Sequence, residues 1–112
     1  METADATAEQ DRFAYEFGIR LEAARMTLQL TPADMCKLLG CARSTYTQYI
    51  RGGSMIAAQR LAPLVKRGIS SDYLLFNVKT AIPAGLIKDL EENEQTAKIE
   101  RDKPQNKGRR DL

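Results

Sequence analysis

The sequence predicts an all-α protein: five short helices between residues 13 and 77, an acidic leader before them and a charged segment after them. Three observations carry this. Apolar residues recur at spacings of three and four, Pro and Gly punctuate the chain at short intervals, and no stretch alternates apolar with polar residues as a strand would. With 112 residues there is room for one small domain. The expected organisation is a flexible leader (1–12), a folded body (13–77), and a C-terminal part (78–112) holding a possible dimerisation helix and a charged tail.

The leader METADATAEQ has no apolar residue bulkier than Ala after Met1. It is read as mobile, or as a frayed extension of the first helix, and it lacks the apolar core of a secretory signal. The first helix follows from Phe13, Phe17, Leu21, Ala24 and Leu28, with Arg20, Glu22 and Arg25 on its other face. Gly18 inside it costs roughly 1 kcal/mol relative to Ala. Thr31 as N-cap, Pro32 at the first helical position and Asp34 three residues after Thr31 start the second helix. Met35, Leu38 and Leu39 form its stripe, and Gly40 ends it in the left-handed conformation. The third helix begins near Arg43 or Ser44, turns Tyr46, Tyr49 and Ile50 inward, and breaks at Gly52-Gly53.

A fourth helix is expected over 57–67, with Leu61, Leu64 and Val65 inward. Pro63 would cost about 3 kcal/mol in its interior, so the helix either kinks or starts later. Ile69-Ser70-Ser71 caps the fifth helix, 72–76, whose Leu74-Leu75-Phe76 run either joins the core or faces a second subunit. Residues 82–90 allow one more short helix after Pro83. From Glu91 onward, twelve of twenty-two residues are charged and only Ala97, Ile99 and Leu112 are apolar. Such a segment does not fold alone, so it is expected to be a tail or an arm that folds on binding.

Composition narrows the functional classes. There is no histidine and there are two cysteines, so four N/S zinc ligands cannot come from one chain. His-based triads and acid–base chemistry are absent too; no catalytic residue, metal or cofactor is assigned, and the chain is not expected to be an enzyme. No run approaches the roughly 18 apolar residues of a spanning helix, so no membrane partner is expected. Cys36 and Cys41 are read as reduced small hydrophobes of a cytoplasmic protein, or alternatively as a pair whose oxidation would distort the turn between them. The net charge of +2 is an average. Residues 1–12 carry −3, residues 13–77 carry eight basic and four acidic groups, and residues 78–112 carry eight and seven.

Thr31 to Gly52 has the spacing of a helix–turn–helix: two eight-residue helices around a three-residue turn at Gly40. Helices joined so tightly cross steeply, which calls for a small residue at the contact (Cys36) and apolar plugs from the second helix (Tyr46, Tyr49). With FGIRLEAARMTLQLT before this unit, ADMCKLLGCARSTYTQYIRGG within it and LAPLVKRGISSDYLLFN after it, residues 17–77 resemble the Cro and phage-repressor (XRE-type) helix–turn–helix family. The match covers about sixty of the 112 residues.

The resemblance implies a five-helix, lambda-repressor-like DNA-binding domain whose third helix enters the major groove. The matching base-reading positions are Arg43, Ser44, Thr47 and Gln48: Arg suits guanine, Gln suits adenine, and Ser or Thr either. The phosphate-holding positions are Arg51, Ser54 and Arg60, with the Gly52 and Gly53 amides. Pro32 stands where the family usually has Gln, and Asp34 adds negative charge. Ile50 replaces the usual Glu that pairs with an arginine at the position of Arg25, leaving Arg25 to reach a phosphate or to pair with Glu22.

The implied function is a sequence-specific transcriptional regulator of the phage or prophage repressor type. It would act in the bacterial cytoplasm, on the nucleoid when bound, as a homodimer on a double-stranded palindromic operator with half-sites roughly 34 Å apart. Segment 82–90 and the fifth helix are the candidate dimer contacts. Two rival readings stand beside it. Arg43, Gln48 and Arg51 form an ordinary solvated face, or the chain is an antitoxin- or inhibitor-like module that captures a protein partner through residues 91–112.

Overall fold

Helix α1 (Thr3–Thr27) is apolar on more than one side. Phe17, Leu21, Ala23 and Ala24 are all fully buried, and Ile19 nearly so. A helix buried on several sides must be covered on several sides, and α1 is packed by α3, α5 and α6. The computed structural model describes residues 3–103, with side chains from Ala8 onward. Among these the order is α1, α2 (Pro32–Leu39), α3 (Arg43–Arg51), a 3-10 turn (Ala58–Leu61), α4 (Ala62–Val65), α5 (Ser71–Phe76) and α6 (Ala84–Arg101), with no strand.

Over the described residues the leader continues α1 from Thr3, the second of the two readings offered for it. Ala, Glu and Gln have good helix propensity, so these turns form without needing burial. Ala8 to Arg12 are all exposed. Met1 and Glu2 lie outside the described residues.

At α2 local sequence and structure agree. The Asp34 amide donates to Thr31 Oγ1 (3.0 Å), the Thr31 amide donates to Asp34 Oδ2 (3.2 Å), and Pro32 opens the helix. These bonds from Thr31 hold the Asp34 carboxyl below its ordinary range. Helix α3 differs in one detail: its N-cap is Ala42, without a side-chain cap, not Arg43 or Ser44. The expected fourth helix is split. Pro63 falls in the first turn of α4, where a missing amide costs nothing, and the residues before it form the 3-10 turn. Val65, expected inside, is 45% exposed. Ser70 caps α5 by accepting from the Tyr73 amide at 3.1 Å.

Two corrections concern charged residues. Arg20, expected on a solvated face, is 7% exposed. Its Nε and Nη2 donate to the Leu74 and Leu75 carbonyls (2.8 and 3.1 Å), closing the C-terminal end of α5. Burial pushes its pKa down, opposed by Tyr73, Glu16 and Glu94.

The charged segment after Glu91 is not a free tail up to residue 101 either. It completes α6, which runs antiparallel along α1. Asn93 Nδ2 donates to Thr27 Oγ1 (2.9 Å) near one end, and the Tyr15 hydroxyl donates to Asp102 Oδ1 (2.6 Å) at the other. Leu90, Ala97 and Arg101 are buried, and Leu86 and Ile87 pack on the core. The part of the tail from residue 104 lies outside the described residues.

Gly18 explains itself here. A Cβ at that position would sit 2.5 Å from the Ile50 carbonyl oxygen and 2.8 Å from that of Tyr49. The obstacle is backbone, which cannot step aside. Gly18→Ala should therefore destabilise the fold by about 1–3 kcal/mol through overpacking, although Ala is the better helix former by roughly 1 kcal/mol. Urea unfolding of the two proteins checks it; equal or greater stability of the variant contradicts the contact.

Candidate nucleic-acid interface

Helix α3 is held from behind by two tyrosines, Tyr46 at 1% and Tyr49 at 7% exposure. The Tyr46 hydroxyl must find a partner once buried, and it donates to Glu22 Oε1 at 2.6 Å. Glu22 is also clasped by Arg25, whose Nε and Nη2 donate to its two oxygens at 2.9 and 2.8 Å. The third guanidinium nitrogen, Nη1, donates to the Leu30 carbonyl (2.7 Å). This cluster ties α3 to α1 and to the loop that follows it. The Glu22 hydrogen bond raises the Arg25 pKa, while burial and the neighbouring carboxylate hold the Tyr46 phenol well above the ordinary tyrosine value.

Arg25 was one of the expected phosphate ligands, and the geometry corrects that. All three guanidinium nitrogens are occupied within the chain, the second of the two alternatives open to it. Arg60 is engaged only in part: it is exposed, and one of its three guanidinium nitrogens bonds within the chain. Its Nη1 donates to the carbonyls of Leu39 (3.0 Å) and Gly40, so it seals the end of α2 and the turn. The glycine amides are corrected as well. Gly52, at φ +78, donates to α3 carbonyls, and Gly53 donates to the Gln48 carbonyl at 2.8 Å. Gly52 is pressed on α1, where a Cβ would stand 3.1 Å from the Tyr15 nitrogen. Neither amide points at a free ligand position.

Arg43, Ser44, Gln48 and Ser54 remain exposed, and Thr47 and Arg51 are half-buried. The Thr47 hydroxyl donates back to the Arg43 carbonyl (3.1 Å). The Gln48 amide folds over Gly53, whose missing side chain leaves it that space. Arg43, Thr47 and Arg51 also line a cleft of about 250 Å³ with Glu22 of α1 and Glu100 and Arg101 of α6. Arg101 belongs to the wall in two ways: its Nη2 donates to the Arg51 carbonyl (3.2 Å), and its guanidinium lies 5.3 Å from the Tyr15 ring centre. Sequence reasoning did not find Glu100 or Arg101. The signal for Arg101 is the spacing 87, 90, 94, 97, 101 on α6, in which two of the five inward positions are charged; Glu100, exposed beside it, has none.

The large apolar residues of the segment proposed for dimer contact turn into the chain, while five of its nine residues are exposed. Ile82 is 5% exposed, Leu74 and Leu90 are fully buried, and Phe76 stands out at 63%, edge-on to Phe13. Cys36 is buried and Cys41 half-buried, both as free thiols. Burial, with Cys36 adjacent, pushes the Cys41 thiol up. Among the described residues no group of three or more His, Cys, Asp or Glu is arranged to hold a metal ion. No helix among them is long and apolar enough to cross a membrane.

Tyr46 has a counterpart in Tyr73, whose hydroxyl donates to Glu94 of α6 and whose phenol is also raised. Each stays neutral in the fold but ionises near pH 10 in the unfolded chain. Each therefore stabilises the fold below that pH, and the contribution is lost as pH rises beyond it. Unfolding free energy should fall above pH 10 by up to about 1.4 kcal/mol per pH unit for each phenol. Tyr46→Phe, which also removes one hydrogen bond worth about 1 kcal/mol, should flatten that slope by one phenol's share in urea titrations. No family model, curated protein or solved structure matches the chain.

Proposed function

We propose that this protein is a sequence-specific, double-stranded DNA-binding regulator of transcription, of the phage or prophage repressor type, in which α2, the Gly40-Cys41-Ala42 turn and α3 act as a helix–turn–helix. The observation that carries the reading is the two-sidedness of α3. Tyr46 and Tyr49 lock one side into the core, while Arg43, Ser44 and Gln48 are exposed on the other. A helix fixed in this way offers preorganised donors and acceptors to base edges, and its Arg and Gln are the residues that read guanine and adenine bidentately.

The reading is narrower than the sequence suggested. Base contact falls to Arg43, Ser44 and Gln48, with Thr47 contributing its methyl. Phosphate contact falls to Arg51, Ser54 and the exposed Arg60; Arg25 and the Gly52 and Gly53 amides hold the scaffold. Such a unit reads only a few base pairs, so a second copy on a second half-site supplies the remaining specificity. Phe76 on α5 and Ile99 on α6, at 63% and 65% exposure, are the large apolar groups most open to that copy. The rival protein-binding module would have to work without residues 91–101 as a free arm, because these complete α6 on α1.

Binding to duplexes selected by the full chain from a random library tests this. Arg43→Ala or Gln48→Ala should cost about 1–3 kcal/mol on the selected sequence and relax preference at one base pair. Arg51→Ala should weaken all sequences alike and flatten the salt slope by about one unit. Arg60→Ala should both lower the unfolding midpoint, through the lost bond to the Leu39 carbonyl, and flatten that slope, since the side chain is exposed. Equal losses on selected and random duplexes for both Arg43→Ala and Gln48→Ala would remove α3 from base reading.

A further inference from the structure

Between α1, α3 and α6 lies the cleft of about 250 Å³, and its charges are unevenly engaged. Both of its carboxylates are held by cations of the same chain, Glu22 by Arg25 at 2.8 Å and Glu100 by Lys103 at 2.9 Å. Arg101 is occupied by the Arg51 carbonyl and the Tyr15 ring. The guanidiniums of Arg43 and Arg51 have no hydrogen bond or ion pair among the described residues. They stand at the two ends of α3, eight residues and so about 12 Å apart along its axis. The lining between them is apolar: Gly18, Ile19 and Ala97 are buried, and Ile50 is half-buried beside them.

We propose that this cleft binds a small linear dicarboxylate, with one carboxylate on Arg43, the other on Arg51 and the methylene chain over Ile50, Ile19 and Ala97, and that the bound dianion competes with duplex DNA for the same two arginines. The competition rests on the reading of α3 given above; the binding does not. A guanidinium keeps its charge and offers a planar fork that matches a carboxylate. A volume equal to about eight waters admits only a small molecule. An extended chain advances about 1.2 Å per bond, so dicarboxylates of about six to eight carbons hold their carboxyl carbons about 6–8 Å apart. The two arginine side chains close the remainder. Malonate, at about 2 Å, engages one guanidinium at a time. Because coupling is reciprocal, DNA lowers the affinity for the dicarboxylate by the same factor.

The test titrates the full chain with disodium pimelate in the absence of DNA, with malonate as the control of equal charge. Calorimetry should show saturable, one-to-one binding of pimelate, about tenfold or more tighter than malonate. Arg43→Ala and Arg51→Ala break no bond made by either guanidinium within the fold, and each should weaken pimelate about tenfold or more. Lys66→Ala, exposed and outside the cleft, should leave pimelate binding unchanged. Saturating pimelate should then weaken binding of the selected duplex about tenfold, where malonate at matched ionic strength does not. Pimelate bound no more tightly than malonate, or bound equally by the two arginine variants, overturns the site and leaves the reading of α3 standing. Duplex affinity that saturating pimelate fails to lower overturns the competition. A chain that binds pimelate but no selected duplex overturns the reading of α3, and the competition with it, while the site stands.

Discussion

The structure depends on one close approach, that of the α3 carbonyls to the backbone of α1 at Gly18. Only a residue without a Cβ fits between α1 and the carbonyls of Tyr49 and Ile50. That contact sets the height of α3 on α1, and other contacts inherit their geometry from it. Tyr46 reaches Glu22, Gly52 settles on the backbone at Tyr15, and the Arg51 carbonyl is presented to Arg101. The glycine that counts against a helix by propensity is the residue that lets the two helices meet.

Around that contact the arginines follow a common rule. The last carbonyls of a helix have no intrahelical partner and carry partial negative charge. Arg25 donates to Leu30 just past α1, Arg60 to the end of α2, Arg101 to Arg51 of α3, Arg67 to Pro63 of α4, and Arg20 to the end of α5. A guanidinium suits the task because it keeps its charge when half-buried and presents several donors in one plane. Much of the positive charge that looks like a nucleic-acid footprint in the sequence is therefore structural. Of the two arginines of α3, Arg43 is exposed and Arg51 half-buried, while Lys37, Lys66, Arg67, Lys88 and Lys98 are exposed elsewhere on the fold.

The cleft between α3 and α6 shows how the two roles meet. Its α3 wall bears Arg43 and Arg51, while its other walls bear Glu22, already clasped by Arg25, and Glu100, paired with Lys103. The carboxylates nearest the exposed face are thus engaged by cations inside the same chain. That lessens the repulsion a polyanion would meet on approaching α3.

The sequence by itself determined what depends on near neighbours. The Thr31–Asp34 capping box, the left-handed Gly40, the helix break at Gly52, the Ser70 cap and the inward Tyr46 and Tyr49 are all legible because each is settled within one or two helical turns. Tertiary structure alone decided the fate of residues whose partners are distant. Arg20 meets carbonyls more than fifty positions away, Tyr15 meets Asp102 across eighty-seven, and the inward stripe of α6 is half concealed because Glu94 and Arg101 occupy it. A charged side chain reads as solvated until the carbonyl or phenol that satisfies it is known, and no local pattern reveals that partner. For the same reason the third helix was recognisable in the sequence, while the choice of which arginines face outward belonged to the fold.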